Sequence, residues 1–247
     1  MFFTNPLTKE TEKKLIGINA KFYEAVNEDF STTRQSPWTG WEKLWQICQV
    51  RGFNPKSIFD VGCGNGRFLA FIREKCSGFK YLGVDNSQAF INTNKINYGN
   101  SATDFQLIDV SDPLSENIIK TSYDLILLMA VLHHIPGYAN RLELLKQLSS
   151  ALSTDGIFVV TYWNFLSEKT LIKKIYPWSE VSLNVEDLEV GDYLLNWGHG
   201  SKYLRYCHLF STDEKKKLVN GLGLELISTF ESDGRNGKLN TYHIFTK

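Results

Sequence analysis

The spacing of apolar residues changes character along the chain. From Thr8 to Asn27 the positions Leu15, Ile18, Phe22 and Val26 recur at three- to four-residue intervals, and Trp41, Leu44, Trp45 and Ile47 do the same between Gly40 and Val50. Both spacings predict amphipathic helices. Beyond them, short apolar runs alternate with helical segments. Ser57-Ile58-Phe59, Lys80 to Asp85, Phe105 to Ile108, Tyr123 to Met129 and Gly156 to Tyr162 read as strands; Arg67 to Cys76, Ser87 to Asn97 and Asn140 to Leu152 read as helices. Such alternation predicts an α/β fold with a largely parallel sheet and helices on both faces. Leu224 to Phe230 and Thr241 to Phe245 read as two further strands, joined by the turn-rich Ser232-Asp233-Gly234-Arg235-Asn236-Gly237. Between the fifth strand and this hairpin lies a long insertion, Trp163 to about Asp213, that a minimal sheet does not need.

The turn after the first strand, Asp60-Val61-Gly62-Cys63-Gly64-Asn65-Gly66, carries the first chemical signal. Alternating glycines let the backbone approach a ligand closely, and the acid faces that ligand's cationic end. The dinucleotide fingerprint needs its third glycine where this chain has Arg67, and a phosphate-binding loop would end in Gly-Lys-Ser/Thr. Asp85 ends the second strand, where it can grip the two hydroxyls of a ribose, and Asp109 follows the third, near an adenine edge. Three acids on successive strand ends suit a cationic ligand with a ribose and an adenine, and would repel a pyrophosphate.

On these residues the chain resembles the class I S-adenosylmethionine-dependent methyltransferases. The resemblance implies a Rossmann-like seven-stranded sheet with one antiparallel strand near its edge. It also implies cofactor contacts from Asp60, Gly62, Cys63, Gly64, Gly66, Asp85, Asn86, Asp109 and Val110, and from Met129 and Ala130 after the fourth strand. Two flanking blocks narrow it. Tyr23, Phe30-Ser31-Thr32-Thr33-Arg34 and Pro37-Trp38 form one; Gly191-Asp192-Tyr193-Leu194, Trp197 and Arg205-Tyr206-Cys207-His208-Leu209-Phe210 form the other. Together with Ala130-Val131-Leu132-His133-His134 they resemble the tRNA wobble-uridine carboxymethyl methyltransferases, also found fused to AlkB-type hydroxylases. That family esterifies 5-carboxymethyluridine in the tRNA anticodon loop, often with a small zinc-binding activator subunit. Leu195-Asn196 and Cys207 depart from its usual Val-Pro and second Tyr, which bears on the acceptor and leaves the cofactor residues intact.

The resemblance sets the candidate roles. Tyr23 and Arg34 join the cofactor set. Arg34, His133, His134, Arg205 and His208 are the candidates for the reacting site, and Trp38, Trp163, Trp197, Lys202, Arg205 and Tyr206 for the acceptor. The insertion's aromatics, interleaved with Lys169, Lys173, Lys174, Lys202 and Arg205, either pack it onto the core or form a platform for an unpaired base beside phosphate-binding cations. The expected organisation is a single methyltransferase domain over 1–247, with a helical cap at 1–52 and an insertion or lid at 163–213. A small-molecule O- or N-methyltransferase, or a cofactor-binding subunit without turnover, are the alternatives.

Composition narrows the setting. The 27 basic and 27 acidic residues cancel, so any contact with nucleic acid or membrane must use a local patch. No apolar run is long enough for a bilayer, no signal peptide follows Met1-Phe2-Phe3, and no membrane partner is expected. Cys48, Cys63, Cys76 and Cys207 form no Cys-x-x-Cys pair, so reduced thiols, a cytoplasmic location and no metal are expected.

Overall fold

A computed structural model describes residues 6–33, 36–197 and 203–247, those at 27–33 by backbone alone. Two helices, α1 (Lys9–Thr33) and α2 (Thr39–Val50), precede the alternating unit. That unit comprises β1 (Ser57–Val61), α3 (Arg67–Arg73), β2 (Lys80–Asp85), α4 (Gln88–Tyr98), β3 (Thr103–Leu107), α5 (Glu116–Ile119), β4 (Tyr123–Leu128), α6 (Tyr138–Ser150) and β5 (Leu152–Trp163). The insertion adds α7 (Lys169–Ile172), β6 (Ile175–Tyr176), β7 (Asp192–Trp197) and β8 (Tyr203–His208). The chain then runs through α8 (Thr212–Asn220), β9 (Glu225–Ser232) and β10 (Asn240–Thr246).

Seven strands form one sheet in the order β3-β2-β1-β4-β5-β10-β9. All its pairs are parallel except those of β10, which runs antiparallel to both neighbours. The central strands read as unbroken apolar runs because both faces are covered. Phe59, Ile126, Leu128, Phe158 and Val160 pack on one face against Leu144, Leu145 and Leu148 of α6. Ile58, Leu125, Leu127, Ile157 and Val159 pack on the other against α2 and α3. The strand order reverses between β1 and β4, the place where open α/β sheets leave a crevice beyond their carboxyl ends.

The insertion is more regular than its sequence suggests: β6, β7 and β8 form a three-stranded antiparallel sheet. Its Trp178, Leu194 and Tyr206 bury against Leu7 and Leu15, so α1 and the insertion share a core. A charged cluster ties the insertion to the main sheet. Arg141 of α6, 1% exposed, donates to Glu189, Glu214 and the Ile135 carbonyl. His208 meets Asp192 at 2.7 Å through Nδ1 and Glu214 at 2.8 Å through Nε2. Burial pushes the imidazole down, but the bonds to Asp192 and Glu214 outweigh it and hold its pKa above the ordinary value. Among the described residues no helix is long and apolar enough to cross a membrane.

Because the folded value of His208 lies above the unfolded value of roughly 6.5, its contribution to stability is fully present below that pH. It is lost as pH rises through the folded value. We expect the unfolding free energy of the wild type, minus that of His208→Gln, to fall in urea titrations as pH rises above roughly 6.5. A difference that stays flat or rises overturns this reading of the cluster.

Candidate functional site

A cavity of about 400 Å³ opens at the strand-order reversal, within the size range of cofactor pockets. Its floor is the glycine turn after β1. Gly62, Gly64 and Gly66 have φ of 73°, 52° and 75°, the left-handed region that side chains avoid. A Cβ on Gly62 would also strike the Val131 side chain, whereas one on Gly64 would meet nothing within 4 Å, so the turn leaves room beside it. Gly64 N–H donates to Asp85 Oδ2 at 2.9 Å, and Asn94 of α4 donates to the Gly64 carbonyl at 2.7 Å. Those two bonds hold the turn from both sides.

Asp60, Asp85 and Asp109 all line the cavity. Asp60 is 3% exposed and accepts from the Tyr81 hydroxyl at 2.6 Å. Burial, with the Asp85 charge in support and the Tyr81 bond opposing, raises its carboxyl to about 7. Burial also raises Asp85, against the N–H groups of Ser87, Gly64 and Asn86 that pull it down. A buried acid and a half-buried one that both resist ionisation favour a ligand bringing its own positive charge. Asp109 is exposed and accepts from the Ser111 N–H and hydroxyl at 2.9 and 2.7 Å, which fixes the loop after β3. Beyond β4 the chain turns at Ala130, whose φ of 59° is unusual for a residue with a Cβ, and its N–H donates to Thr161 Oγ1 at 2.8 Å. This donor set, acids with a glycine cradle and a strained turn beneath, fits S-adenosylmethionine.

The other half of the cavity is walled by α1, the turn after β4 and the insertion. His134 Nδ1 lies 2.9 Å from the Tyr206 carbonyl, which can only accept, so that nitrogen carries a proton. In the neutral ring, Nε2 then accepts from the Tyr23 hydroxyl at 2.8 Å. His133 is 3% exposed and lies against Trp163, with ring centroids 5.1 Å apart. Arg205 is 4% exposed, and its guanidinium carbon stands 4.6, 5.4 and 5.3 Å from the rings of Trp163, Trp197 and Phe22. Among the described residues it has no acidic partner, and its Nε makes no hydrogen bond.

Most of the residues singled out from sequence therefore surround one cavity: Tyr23, Asp60, Gly62, Cys63, Gly64, Asp85, Asn86, Asp109, Val110, Met129, Ala130, His133, His134, Trp38, Trp163, Trp197 and Arg205. Gly66 does not line it; it caps the start of α3, where a Cβ would press on Asn94 and Tyr98 at 2.9 Å. Tyr206 and His208 lie elsewhere. Side chains alternate along a strand, so with Arg205 facing the cavity its neighbour Tyr206 points the other way, as does His208 two positions on. Both bond Asp192 instead, Tyr206 through its hydroxyl at 2.9 Å. The expectation that Tyr206 and His208 reach the acceptor is corrected on that ground. Arg34 and Lys202 lie outside the described residues.

Among the residues that escaped the sequence reading are two of the wall, Asn19 and Asp233, and Asn94, which holds the glycine turn from behind. Asn19 lines the cavity and accepts from Tyr206 N–H at 2.8 Å; its place on the inward stripe of α1, next to Ile18, was the available signal. Asn94 likewise shares the buried face of α4 with Phe90 and Ile91. Asp233 reads in sequence only as a turn residue. Folded, it accepts from Gly40 N–H, Thr39, Asn240 and Tyr242, and so clamps the β9–β10 hairpin to the start of α2 at the cavity rim. Two clusters bring metal-ligating atoms within 4.8 Å of one another: His133, His134 and Cys207, and Glu189, Asp192 and His208. Their geometry suits hydrogen bonding better, since His134 Nδ1 and both His208 nitrogens are already engaged. Burial also pushes the Cys207 thiol up to about 12, which keeps it protonated.

Comparison with known proteins agrees with this architecture. A putative methyltransferase of Encephalitozoon cuniculi is 25% identical over 84% of this chain and 87% of its own length. The tRNA (carboxymethyluridine(34)-5-O)-methyltransferase of Mus musculus is 26% identical over 65% of this chain, which spans only 22% of that protein's length. Among solved structures, an S-adenosylmethionine-dependent methyltransferase of Clostridium acetobutylicum superposes with a TM-score of 0.64 at 12% identity, covering 92% of this chain and 98% of that one. The methyltransferase domain family matches residues 42–229, well over half of the 247, and the chain belongs to that family as a class I S-adenosylmethionine-dependent methyltransferase.

Proposed function

We propose that this enzyme methylates a carboxylate, and that the carboxylate is the 5-carboxymethyl arm of a wobble uridine in a tRNA anticodon loop. The observation that carries the reading is Arg205. A guanidinium buried without an acid is costly, because desolvation is not repaid by a counter-charge. Three aromatic faces relieve part of that cost. An anion arriving in the cavity would relieve the rest, and a carboxylate fits the planar fork with paired hydrogen bonds. The mouse relative's name supplies the tRNA acceptor, and the blocks around Tyr23 and Arg205 support it.

S-adenosylmethionine supplies an already activated methyl group. In our reading the glycine turn and Asp60 hold the methionine end, Asp85 holds the ribose, and Asp109 with Val110 faces the adenine. Asn86, Met129 and Ala130 complete that half, with Tyr23 reaching it from the α1 wall. An acceptor carboxylate has a reference pKa of roughly 4 and needs no base at neutral pH. The protein's part is then placement, which can be worth about 7–11 kcal/mol. His134, held between Tyr23 and the Tyr206 carbonyl, shapes the junction of the two halves. Trp163 and Trp197 hold the guanidinium, which leaves Trp38 at the rim as the surface for a base.

Labelled methyl should pass from S-adenosylmethionine to tRNA, be released by mild alkali, and appear on a carboxymethyluridine by nucleoside mass analysis. Label on free carboxylic acids with none on tRNA would replace the RNA acceptor by a small one. Replacing Arg205 by Met keeps the length and removes the charge; losing a charged hydrogen bond of about 2–3 kcal/mol predicts roughly 30- to 150-fold slower transfer. Cofactor affinity in that variant should stay within about twofold by calorimetry. Asp85→Ala should instead abolish measurable cofactor binding, and preserved affinity would remove Asp85 from the ribose site.

A further inference from the structure

Two short segments border the cavity, and the second is hydrogen-bonded to the residues that lead into the first. One is 169–174, Lys-Thr-Leu-Ile-Lys-Lys; the other is 234–239, Gly-Arg-Asn-Gly-Lys-Leu. Between them they hold five cations, Lys169, Lys173, Lys174, Arg235 and Lys238, and no acid. The hairpin is fastened beside α7 by bonds that include Asn164 N–H to the Leu239 carbonyl at 2.7 Å, Asn236 Nδ2 to the Ser167 carbonyl at 2.9 Å, and Arg235 N–H to Glu168 Oε1 at 2.9 Å. Glu168 is the acid nearest in sequence to α7, and that bond uses one of its oxygens.

The ledge so formed reaches the cavity itself, because Leu171, Gly234 and Leu239 are part of the cavity wall. Lys169, Lys173, Arg235 and Lys238 are exposed. Lys174 Nζ stands 5.8 Å over the ring of Trp197, which also lines the cavity. Of the acids just before the hairpin turn, Asp233 is buried and accepts hydrogen bonds from four residues, while Glu231 is exposed on β9, outside both segments. The Lys215-Lys216-Lys217 run is different: it follows Asp213 and Glu214 in α8, and Lys215 turns inward to donate to Thr241 at 3.2 Å. In a chain of zero net charge, a polyanion has to be met by such a local strip.

We propose that this ledge of α7 and the β9–β10 hairpin carries the phosphate backbone of single-stranded RNA past the cavity mouth, presenting one nucleotide inward. The proposal rests on the RNA acceptor proposed above and adds the face by which it is held. Contacts of this kind set affinity and register without reading sequence. The cations here stand beside the aromatic wall in the combination that single-strand binders use.

The test compares binding of unfractionated tRNA across salt concentrations for the wild type and for the Lys169→Ala, Lys173→Ala, Lys238→Ala triple variant. None of the three side chains is buried, and calorimetry with S-adenosylmethionine confirms a folded cofactor half. Each lost phosphate contact lowers the slope of log affinity against log salt by roughly 0.7, so the triple variant should lose about 2. Its affinity at low salt should fall at least tenfold, and its transfer to the free carboxymethyluridine nucleoside should match the wild type. A control removes exposed charges elsewhere, Lys80→Ala, Lys95→Ala and Lys146→Ala. An unchanged slope in the ledge variant, or an equal loss in the control, overturns the ledge while leaving the RNA acceptor standing. A wild type with no salt-dependent tRNA binding overturns both.

Discussion

The acceptor half of the cavity depends on how the outer edge of β8 is satisfied. The order β6-β7-β8 leaves β8 paired on one side only, and unpaired backbone groups on a buried edge are costly. At Tyr206 both groups turn away from β7: the N–H goes to Asn19 of α1 and the carbonyl receives Nδ1 of His134. One residue of an inserted strand is thus bonded to the N-terminal helix and to the turn after β4. This contact orients the His134 ring, brings Tyr23 to it, and fixes the strand phase that sends Arg205 into the cavity.

Two buried arginines have opposite surroundings, one fully counter-charged and one, in the function proposed above, held for an acceptor. Arg141 is surrounded by its counter-charges, and together with His208 it neutralises a cluster that would otherwise bury Glu189, Asp192 and Glu214 unpaired. Arg205 is nearly as deeply buried, and among the described residues it is offered aromatic faces and no acid. A structural arginine missing both its acid and one of its donor bonds would be hard to account for. An arginine kept ready for an incoming anion accounts for both absences.

The frame was legible from sequence because its signals are local. Apolar runs bounded by Gly and Asp predict the strands, and the glycine turn predicts its own left-handed backbone at 62, 64 and 66. Boundaries moved where tertiary contacts extended an element: β5 begins at Leu152, four residues before the expected Gly156, by pairing through an irregular register with β4. The acceptor half was less legible because its contacts join residues far apart in the chain. Asn19 and Tyr206 are 187 positions apart, and Asp233 is 193 from Gly40. Motif reading placed Arg205, Tyr206 and His208 together, but a motif does not say which face of a strand each side chain takes; that phase was set by the edge contact at Tyr206.

The two halves of the cavity therefore have different physical footings. The cofactor half is built on the carboxyl ends of β1, β2 and β4, strands whose every neighbour is part of the core. The acceptor half is assembled from α1, the insertion and the turn after β4, none of which would hold its shape without the other two. Methyl transfer asks little of side-chain chemistry and much of alignment, so drift in any one of those three would misplace the acceptor before it weakened the cofactor. That dependence gives a physical reason for burying so much polar structure, the Asn19–Tyr206 contact and the Arg141 cluster, in a part of the molecule that the sheet does not need in order to fold.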